Sequence, residues 1–308
     1  GGAALADTSI VTGAIENEGT LALGGQAGSL LQVDGSTTIG GNATLSGDLV
    51  LQGGALSVGS GGRLAFASLG TAEGTTLSLG AGATLVGTGN TMTLGGTTDV
   101  AAGGALIDNG AIQNLATGTI TFAGGATIDT DFDASGDEAF VNAGIVQLSG
   151  NNTQIVAIGG NGGNDALNLA GAQLLVNAGR LDIAGMLANA GAISLSGNGI
   201  LNVDTLVNAS GGSIVNSGTI SADSGIANQS GADLSSTGTL AGLVVNEGTI
   251  GAKGALNGQL SNEGAGLFTV TGNLASNGSD IGNSGTAVLA VTGGDLTGVG
   301  TLVNSSFG

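Results

Sequence analysis

The chain has 308 residues, of which 65 are glycine, and it contains no proline, cysteine, histidine, tryptophan or tyrosine. Only 3 basic side chains stand against 22 acidic ones, which gives a formal charge of −19 at pH 7. Three scattered cations cannot neutralise a run of phosphates, so the charge argues against nucleic acids and anionic membrane surfaces as partners. The lack of cysteine excludes a disulfide framework, and the lack of histidine removes the commonest general base.

Glycine at about three times its average usage is typical of disorder or of collagen. Both are excluded here, because the chain has no proline, no strict three-residue period and 41% hydrophobic residues. No apolar run reaches the roughly 18 residues of a membrane span, so we expect no membrane insertion by this segment. The first residues lack a basic region followed by a long apolar stretch, and we expect any export signal to lie outside them.

Short alternating runs between glycines are the first predicted elements. In TLSGDLVLQGGALSVGSGGRLAFASLG, residues 44–70, aliphatic side chains recur at every second position within runs of three to six residues. A period of two indicates strands, and no stretch offers helical spacing over a dozen residues without glycine. Strands this short bury their inward row by coiling, each stacked on its equivalent in the next turn. We therefore predict an all-β fold, one continuous β-solenoid over residues 1–308 with coils of roughly 20 residues.

An acidic stretch follows, IDTDFDASGDEAF at residues 128–140. Crowded carboxylates repel one another, and a hard cation such as calcium relieves that repulsion. The stretch lacks the glycine and the glutamate that an EF-hand loop has at its sixth and twelfth positions, so a solvated acidic loop at 129–138 is the alternative. The candidate calcium ligands are Asp129, Asp131, Asp133, Asp137 and Glu138.

A second candidate calcium site lies at residues 160–168, GNGGNDALN. This stretch resembles the calcium-binding nonapeptide of repeats-in-toxin proteins, and it makes Asp165 a further candidate ligand. Those sites use successive copies so that two turns share one ion, and here a single copy stands alone. A glycine turn is the alternative, and the sequence indicates no cofactor other than calcium.

Asparagine recurs in two related patterns. One is asparagine, any residue, glycine and then an apolar pair, as in NEGTL from Asn17; the other ends an apolar strand, as in LVN at 206–208. A single asparagine of this kind is an ordinary turn former, but the repetition predicts stacked corners whose amides bond to the coil above or below. The predicted corner residues are Asn17, Asn142, Asn177, Asn208, Asn216, Asn246, Asn283 and Asn304.

The segment NSGTI, residues 216–220, gives these corners a detailed register. Gly218 is expected to adopt a positive φ, as glycine does at low cost. Thr219 is expected to face solvent as a β-branched strand residue, and Ile220 to point into the aliphatic column.

Sequences rich in glycine, asparagine and threonine, with drifting N-x-G-T-[IL] repeats and little charge, resemble the passenger regions of bacterial autotransporters and haemagglutinin-type adhesins. The resemblance implies a right-handed parallel β-helix at the outer cell surface of a bacterium or in the extracellular space. The family includes adhesins, proteases, toxins and inert stalks. For this chain, which has neither histidine nor cysteine, we expect a stalk, an adhesin or a filament subunit with no catalysis of its own. Members of the family differ in activity, so the repeats do not identify a ligand.

Two other functions stay open, a calcium-stabilised surface binding module and a carbohydrate-active enzyme that uses paired carboxylates. Sugar sites normally add aromatic platforms, and this chain has 2% aromatic residues. The terminal stretches 1–11 and 298–308 carry one charged residue, Asp7, and resemble no polar cap. We therefore expect end-to-end self-association or continuation into a longer stalk.

Overall fold

The computed structural model describes residues 3–4, 8–11, 15–17, 20–24, 30–33, 36–45, 47–88, 91–130, 140–148, 155–160 and 166–306. Throughout these ranges the chain is all-β, without helix, and its parallel strands stack as a β-solenoid, which confirms the predicted fold class. The chain forms two compact units, Gly1–Asp165 (the N-terminal unit) and Ala166–Gly308 (the C-terminal unit). That one continuous solenoid spans residues 1–308 stays a prediction.

The N-terminal unit is built from short strands, and each of its first 19 strands pairs in parallel with the third strand after it, so three strands complete one coil. Leu56 lies beside Leu77, and Leu64 beside Leu85, which makes these coils 21 residues long, close to the predicted 20. The strands are β1 (Ala3–Ala4), β2 (Thr8–Val11), β3 (Ile15–Asn17), β4 (Thr20–Gly24), β5 (Leu30–Val33), β6 (Ser36–Ile39), β7 (Asn42–Leu45), β8 (Asp48–Leu51), β9 (Ala55–Val58), β10 (Arg63–Phe66), β11 (Leu69–Thr71), β12 (Thr76–Leu79), β13 (Thr84–Gly87), β14 (Thr91–Leu94), β15 (Thr97–Val100), β16 (Ala105–Asp108), β17 (Ala111–Asn114), β18 (Thr119–Phe122), β19 (Thr127–Thr130), β20 (Phe140–Asn142), β21 (Ile145–Leu148) and β22 (Ile155–Gly160).

The C-terminal unit combines short strands with long ones that bend around a corner. Its strands are β23 (Ala166–Asn168), β24 (Gln173–Val176), β25 (Gly179–Asn189), β26 (Ala192–Leu195), β27 (Gly199–Asn208), β28 (Ser213–Asn216), β29 (Thr219–Asn228), β30 (Asp233–Ser236), β31 (Thr239–Ala241), β32 (Val244–Asn246), β33 (Thr249–Asn257), β34 (Leu260–Asn262), β35 (Leu267–Ala275), β36 (Ile281–Gly285), β37 (Val288–Val291), β38 (Leu296–Thr297) and β39 (Leu302–Ser306). The register of β25 against β27 shifts between Ile183 and Met186, so one strand serves two faces of a coil.

The core is a set of aliphatic columns inside the coils, because alternation turns every second side chain inward. The parallel register places aliphatic residues of neighbouring coils beside one another, so that Leu201 lies beside Ile220 and Ile220 beside Leu240. Ile220 is fully buried and Thr219 is half-buried, which is the register that the segment NSGTI predicts. Each residue of a column thus packs against an equivalent residue in the coil above and the coil below.

Trimming this column by one methylene group gives a measurable test of the register. We expect Ile220→Val to lower the free energy of unfolding by about 1 kcal/mol, since the fully buried side chain leaves a small cavity. The matched control is Thr219→Ser on the outer side of the same strand, with an expected change within about 0.5 kcal/mol. Equal effects of the two variants in chemical denaturation would contradict the register.

Candidate functional site

A buried asparagine recurs at the ends of strands on one corner of the coils. β27 ends at Asn208 and β29 at Asn228, and both side chains are buried. In each case the residue two positions earlier, Leu206 or Ile226, also points inward, because the strand alternates. The asparagine therefore occupies the last inward position before the chain turns.

These side chains form a continuous chain of hydrogen bonds along the C-terminal unit, which we call the asparagine ladder. The Nδ2 atom of each asparagine donates to the Oδ1 atom of its equivalent in the next coil, always in the same direction along the solenoid. The Nδ2–Oδ1 distances are 2.7 Å from Asn168 to Asn189, 2.8 Å from Asn189 to Asn208, 2.8 Å from Asn208 to Asn228, 2.8 Å from Asn228 to Asn246, 2.7 Å from Asn246 to Asn262, 2.7 Å from Asn262 to Asn283 and 3.0 Å from Asn283 to Asn304.

The N-terminal unit contains the same contact between Asn114 and Asn142. The Nδ2 atom of Asn114 donates to the Oδ1 atom of Asn142 at 2.7 Å, and both side chains are buried. The two residues are 28 positions apart, against 16 to 21 in the C-terminal unit, because the acidic stretch lies between them in sequence. The corner contact thus tolerates a longer coil.

The ladder also ties side chains to the backbone. Asn228 Nδ2 donates to the carbonyl oxygen of Thr249 at 3.1 Å, and Asn208 Nδ2 donates to that of Asp233 at 3.0 Å. An amide group has two donor hydrogens, so one bonds along the ladder and the other reaches the first residue of the strand that follows the corner in the next coil. Buried polar groups satisfied in this way stabilise and specify a fold, whereas a missing partner is costly.

A second kind of corner is centred on Asn216 at the end of β28. The backbone N–H of Gly218 donates to Asn216 Oδ1 at 3.0 Å, which closes the turn. Asn216 Nδ2 donates to Ser236 Oγ in the next coil at 3.0 Å and to the carbonyl oxygen of Thr239 at 3.0 Å. This corner therefore uses the amide oxygen within its own coil and the amide nitrogen between coils.

The predicted corner residues fall into four groups. Asn216 forms the second kind of corner, and Asn177 is exposed after β24. Asn17 ends β3 beside Ile39, and its side chain lies outside the described residues. The predicted residues on the ladder are Asn142, Asn208, Asn246, Asn283 and Asn304. Asn189 is also on the ladder, and its sequence NAGAI fits the asparagine-x-glycine pattern, although it is not among the predicted corner residues. Ladder residues that the sequence reasoning missed are Asn114, Asn168, Asn228 and Asn262.

Asn177 differs from Asn208 although both end the sequence LVN. In residues 206–208 the leucine and the asparagine point inward, whereas in 175–177 the valine does so. Since strands alternate with a period of two, this shift of one position turns Asn177 outward. Its backbone carbonyl accepts a hydrogen bond from the hydroxyl of Ser196.

The expected positive φ of Gly218 is wrong, since the residue is not among the positive-φ positions of the described chain. Glycine is required there for a different reason, which is close stacking on the coil before it. A Cβ atom at Gly218 would collide with the carbonyl oxygen of Gly199 and lie 2.6 Å from that of Ser196. Positive φ occurs instead at turn glycines such as Gly211 and Gly231, with φ of 84° and 81°.

Of the candidate calcium ligands, the structure describes Asp129 alone. It occupies an outward, half-buried position on β19 beside Ile107 of the preceding coil. Within the described residues, no three acidic side chains gather into a group that could hold a metal ion. The calcium prediction therefore stays a prediction. Its other residues lie outside the described ranges: Asp131, Asp133, Asp137, Glu138 and Asp165.

A shallow groove of about 470 Å³ runs across four coils of the N-terminal unit. Its lining includes a register-matched row of hydroxyl and carboxyl groups, Ser57, Ser78, Asp99 and Thr121. It also includes small residues that directly follow the strands, namely Gly59, Gly80, Ala101 and Ala123. Such a face offers hydrogen-bonding groups at one coil spacing, about 4.8 Å.

No helix in the described part of the chain has the length and hydropathy that a membrane span requires. No protein-family model matches the chain, and no curated protein matches it significantly. A solved structure that is similar to it is the crystal structure of the TibC-catalyzed hyper-glycosylated TibA55-350 fragment, at 17% sequence identity and a TM-score of 0.40. The alignment covers 96% of this chain and 94% of that one.

Proposed function

We propose that the chain is an exported structural or adhesive β-solenoid, used at a bacterial cell surface as a stalk or an adhesin, without catalysis of its own. The observation that carries the proposal is the asparagine ladder, which joins eight coil positions from Asn168 to Asn304 by seven side-chain hydrogen bonds. These amides bond to one another and to the backbone, and all of them except that of exposed Asn304 are buried inside the coils. They stabilise the stacking of the coils and are not presented to a substrate.

The outer surface supports the same proposal. Its register repeats a residue type over successive coils, as in the outward hydroxyl row of three coils, Thr76, Thr97 and Thr119. A repeated, weakly charged face suits contact with an extended surface, because equivalent groups recur along the solenoid. The net charge of −19 disfavours side-by-side association of copies.

Surface display tests the proposal. The chain is placed between a membrane anchor and an N-terminal epitope tag on a capsulated bacterial host that does not adhere by itself. We expect antibody to reach the tag through the capsule, or the cells to aggregate or bind host cells, because a stacked solenoid resists collapse. The matched control is the anchor carrying the tag directly. A displayed, protease-resistant chain that neither makes the tag accessible nor makes the cells adhere would overturn the proposal.

A further inference from the structure

Asp108 is a carboxyl group in the position of a corner asparagine. The sequence DNGAI from Asp108 parallels NAGAI from Asn189, and both follow a strand that turns at its last inward residue. The backbone N–H of Gly110 donates to Asp108 Oδ1 at 3.2 Å. The same contact closes the corners at Asn142 and Asn216, at 3.2 and 3.0 Å.

Asp108 differs from these corner asparagines at the second terminal atom of the side chain. In Asn216 that atom is Nδ2, which donates to Ser236 Oγ, and Ser236 is the register partner of Asn216 in the next coil. In Asp108 it is Oδ2, and the register partner is also a hydroxyl residue, Thr130. Within the described residues Oδ2 has no hydrogen-bond partner, and the side chain is fully buried.

The preceding coil is shaped around this carboxyl group. Gly87 is the register partner of Asp108 on that side, and a Cβ atom at Gly87 would lie 2.6 Å from Oδ1 and 2.9 Å from Oδ2. The carboxyl group thus fills the space that a side chain at Gly87 would take. It is held between two coils and away from water.

We propose that Asp108 is a proton-binding corner of the solenoid. Its neutral carboxyl group has a donor hydrogen that it can carry at Oδ2, where a corner asparagine has its Nδ2 donor. Its carboxylate has no hydrogen to donate and places a buried charge at an oxygen that has no partner among the described residues.

Among the described residues, the charged groups around Asp108 do not stabilise the carboxylate. β13 has no charged residue, and β16 has none besides Asp108 itself. β19 has Asp129, whose side chain occupies an outward position and carries the same sign of charge. The turn supplies the backbone amides of Asn109 and Gly110.

Burial raises the pKa of the Asp108 carboxyl group from 3.8 to about 6, against the lowering effect of the Gly110 and Asn109 amides. A folded-state pKa above the unfolded one means that folding favours the proton. The contribution to stability is therefore complete below pH 3.8, declines as the pH rises toward 6, and stays lost above that pH. This pH dependence of stability is opposite to that of an aspartate held by a salt bridge, whose contribution is lost as the pH falls.

Replacing the carboxyl group of Asp108 by an amide, and the amide of Asn216 by a carboxyl group, tests the proposal. Hydrogen exchange of β16 and β19 amides, corrected for intrinsic rates, is measured at pH 4 and pH 7 in the intact chain. In the wild type we expect the opening equilibrium constant to rise by about 50-fold across this range, since a small part of the effect of the pKa shift is already present at pH 4. Asp108→Asn should remove most of this rise, and Asn216→Asp should create a similar rise in β28 and β30.

Asp129→Asn is the matched control, because it removes a carboxylate from the outward position of the neighbouring strand. We expect it to leave the pH dependence of β16 unchanged. An equal pH dependence in the wild type and in Asp108→Asn would overturn the proposal. If Asp108→Asn fails to fold, Asn216→Asp still decides: a pH-independent opening of β28 and β30 in that variant would also overturn it.

Discussion

Replacing Asn228 by alanine should lower the free energy of opening of β29 and β32 by about 3 to 5 kcal/mol. The substitution removes the acceptor of Asn208 Nδ2 and the donor to Asn246 Oδ1, which are both buried. Each buried group left without its partner costs about 1 to 3 kcal/mol, and the lost side chain leaves a cavity. Native-state hydrogen exchange in the intact chain measures this locally, which suits a solenoid whose coils open in parts.

Asn177→Ala is the control for the ladder, because the side chain is exposed and follows a strand in the same unit. We expect a change within about 0.5 kcal/mol. If Asn228→Ala and Asn177→Ala had equal, small effects, the ladder would contribute nothing specific to stability.

Gly218→Ala should lower the free energy of opening of β29 by about 3 kcal/mol. The added methyl group meets backbone carbonyl oxygens of Gly199 and Ser196, which are part of the paired strand and turn of the preceding coil. Backbone atoms cannot move aside as a flexible side chain can, so the two coils must separate locally.

The matched control is Gly197→Ala in the neighbouring turn. The nearest atom to a Cβ at Gly197 is the carbonyl oxygen of Ser217 at 3.8 Å, an ordinary contact, and its φ is not positive. We expect no destabilisation, and a gain of about 0.4 to 1 kcal/mol from the reduced entropy of the unfolded chain. A loss of similar size in both variants would show that glycine acts at Gly218 through conformation and not through close stacking.

The fold could be predicted because the sequence patterns that indicate it recur along the whole chain. Alternation and glycine spacing occur in every coil, and a period of two leaves few alternatives to strands. The coil length follows from the repeats, and the 21-residue register of Leu56 and Leu77 agrees with it. The division into two compact units has no such signal, because the repeats continue through Asp165 and Ala166 without a change of composition.

The ladder was found only in part, because the strand-ending pattern relies on a large apolar residue directly before the asparagine. That residue points outward and is therefore variable: serine precedes Asn262, and alanine precedes Asn228 and also Asn189, which only the asparagine-x-glycine pattern marks. The informative residue is two positions earlier, where Leu187 and Ile226 are buried.

The same rule explains two further outcomes. At Asn177 the residue two positions earlier, Leu175, is only half-buried, so the asparagine turns outward with it. At Asp108 the corresponding residue, Leu106, is fully buried, so the carboxyl group turns inward. Residue type alone does not indicate the corner at Asp108, since an aspartate in a loop-like DNG sequence is typical of a solvated turn.

The exchange rate of asparagine side-chain amide hydrogens tests the ladder most directly. With ¹⁵N-labelled asparagine, nuclear magnetic resonance follows each carboxamide after transfer into deuterated water, and single substitutions assign the signals. We expect the carboxamides of Asn189, Asn208, Asn228 and Asn246 to exchange at least about 100-fold more slowly than that of exposed Asn177, since opening must precede exchange. Ladder carboxamides that exchange as fast as the Asn177 carboxamide would contradict a buried, hydrogen-bonded ladder.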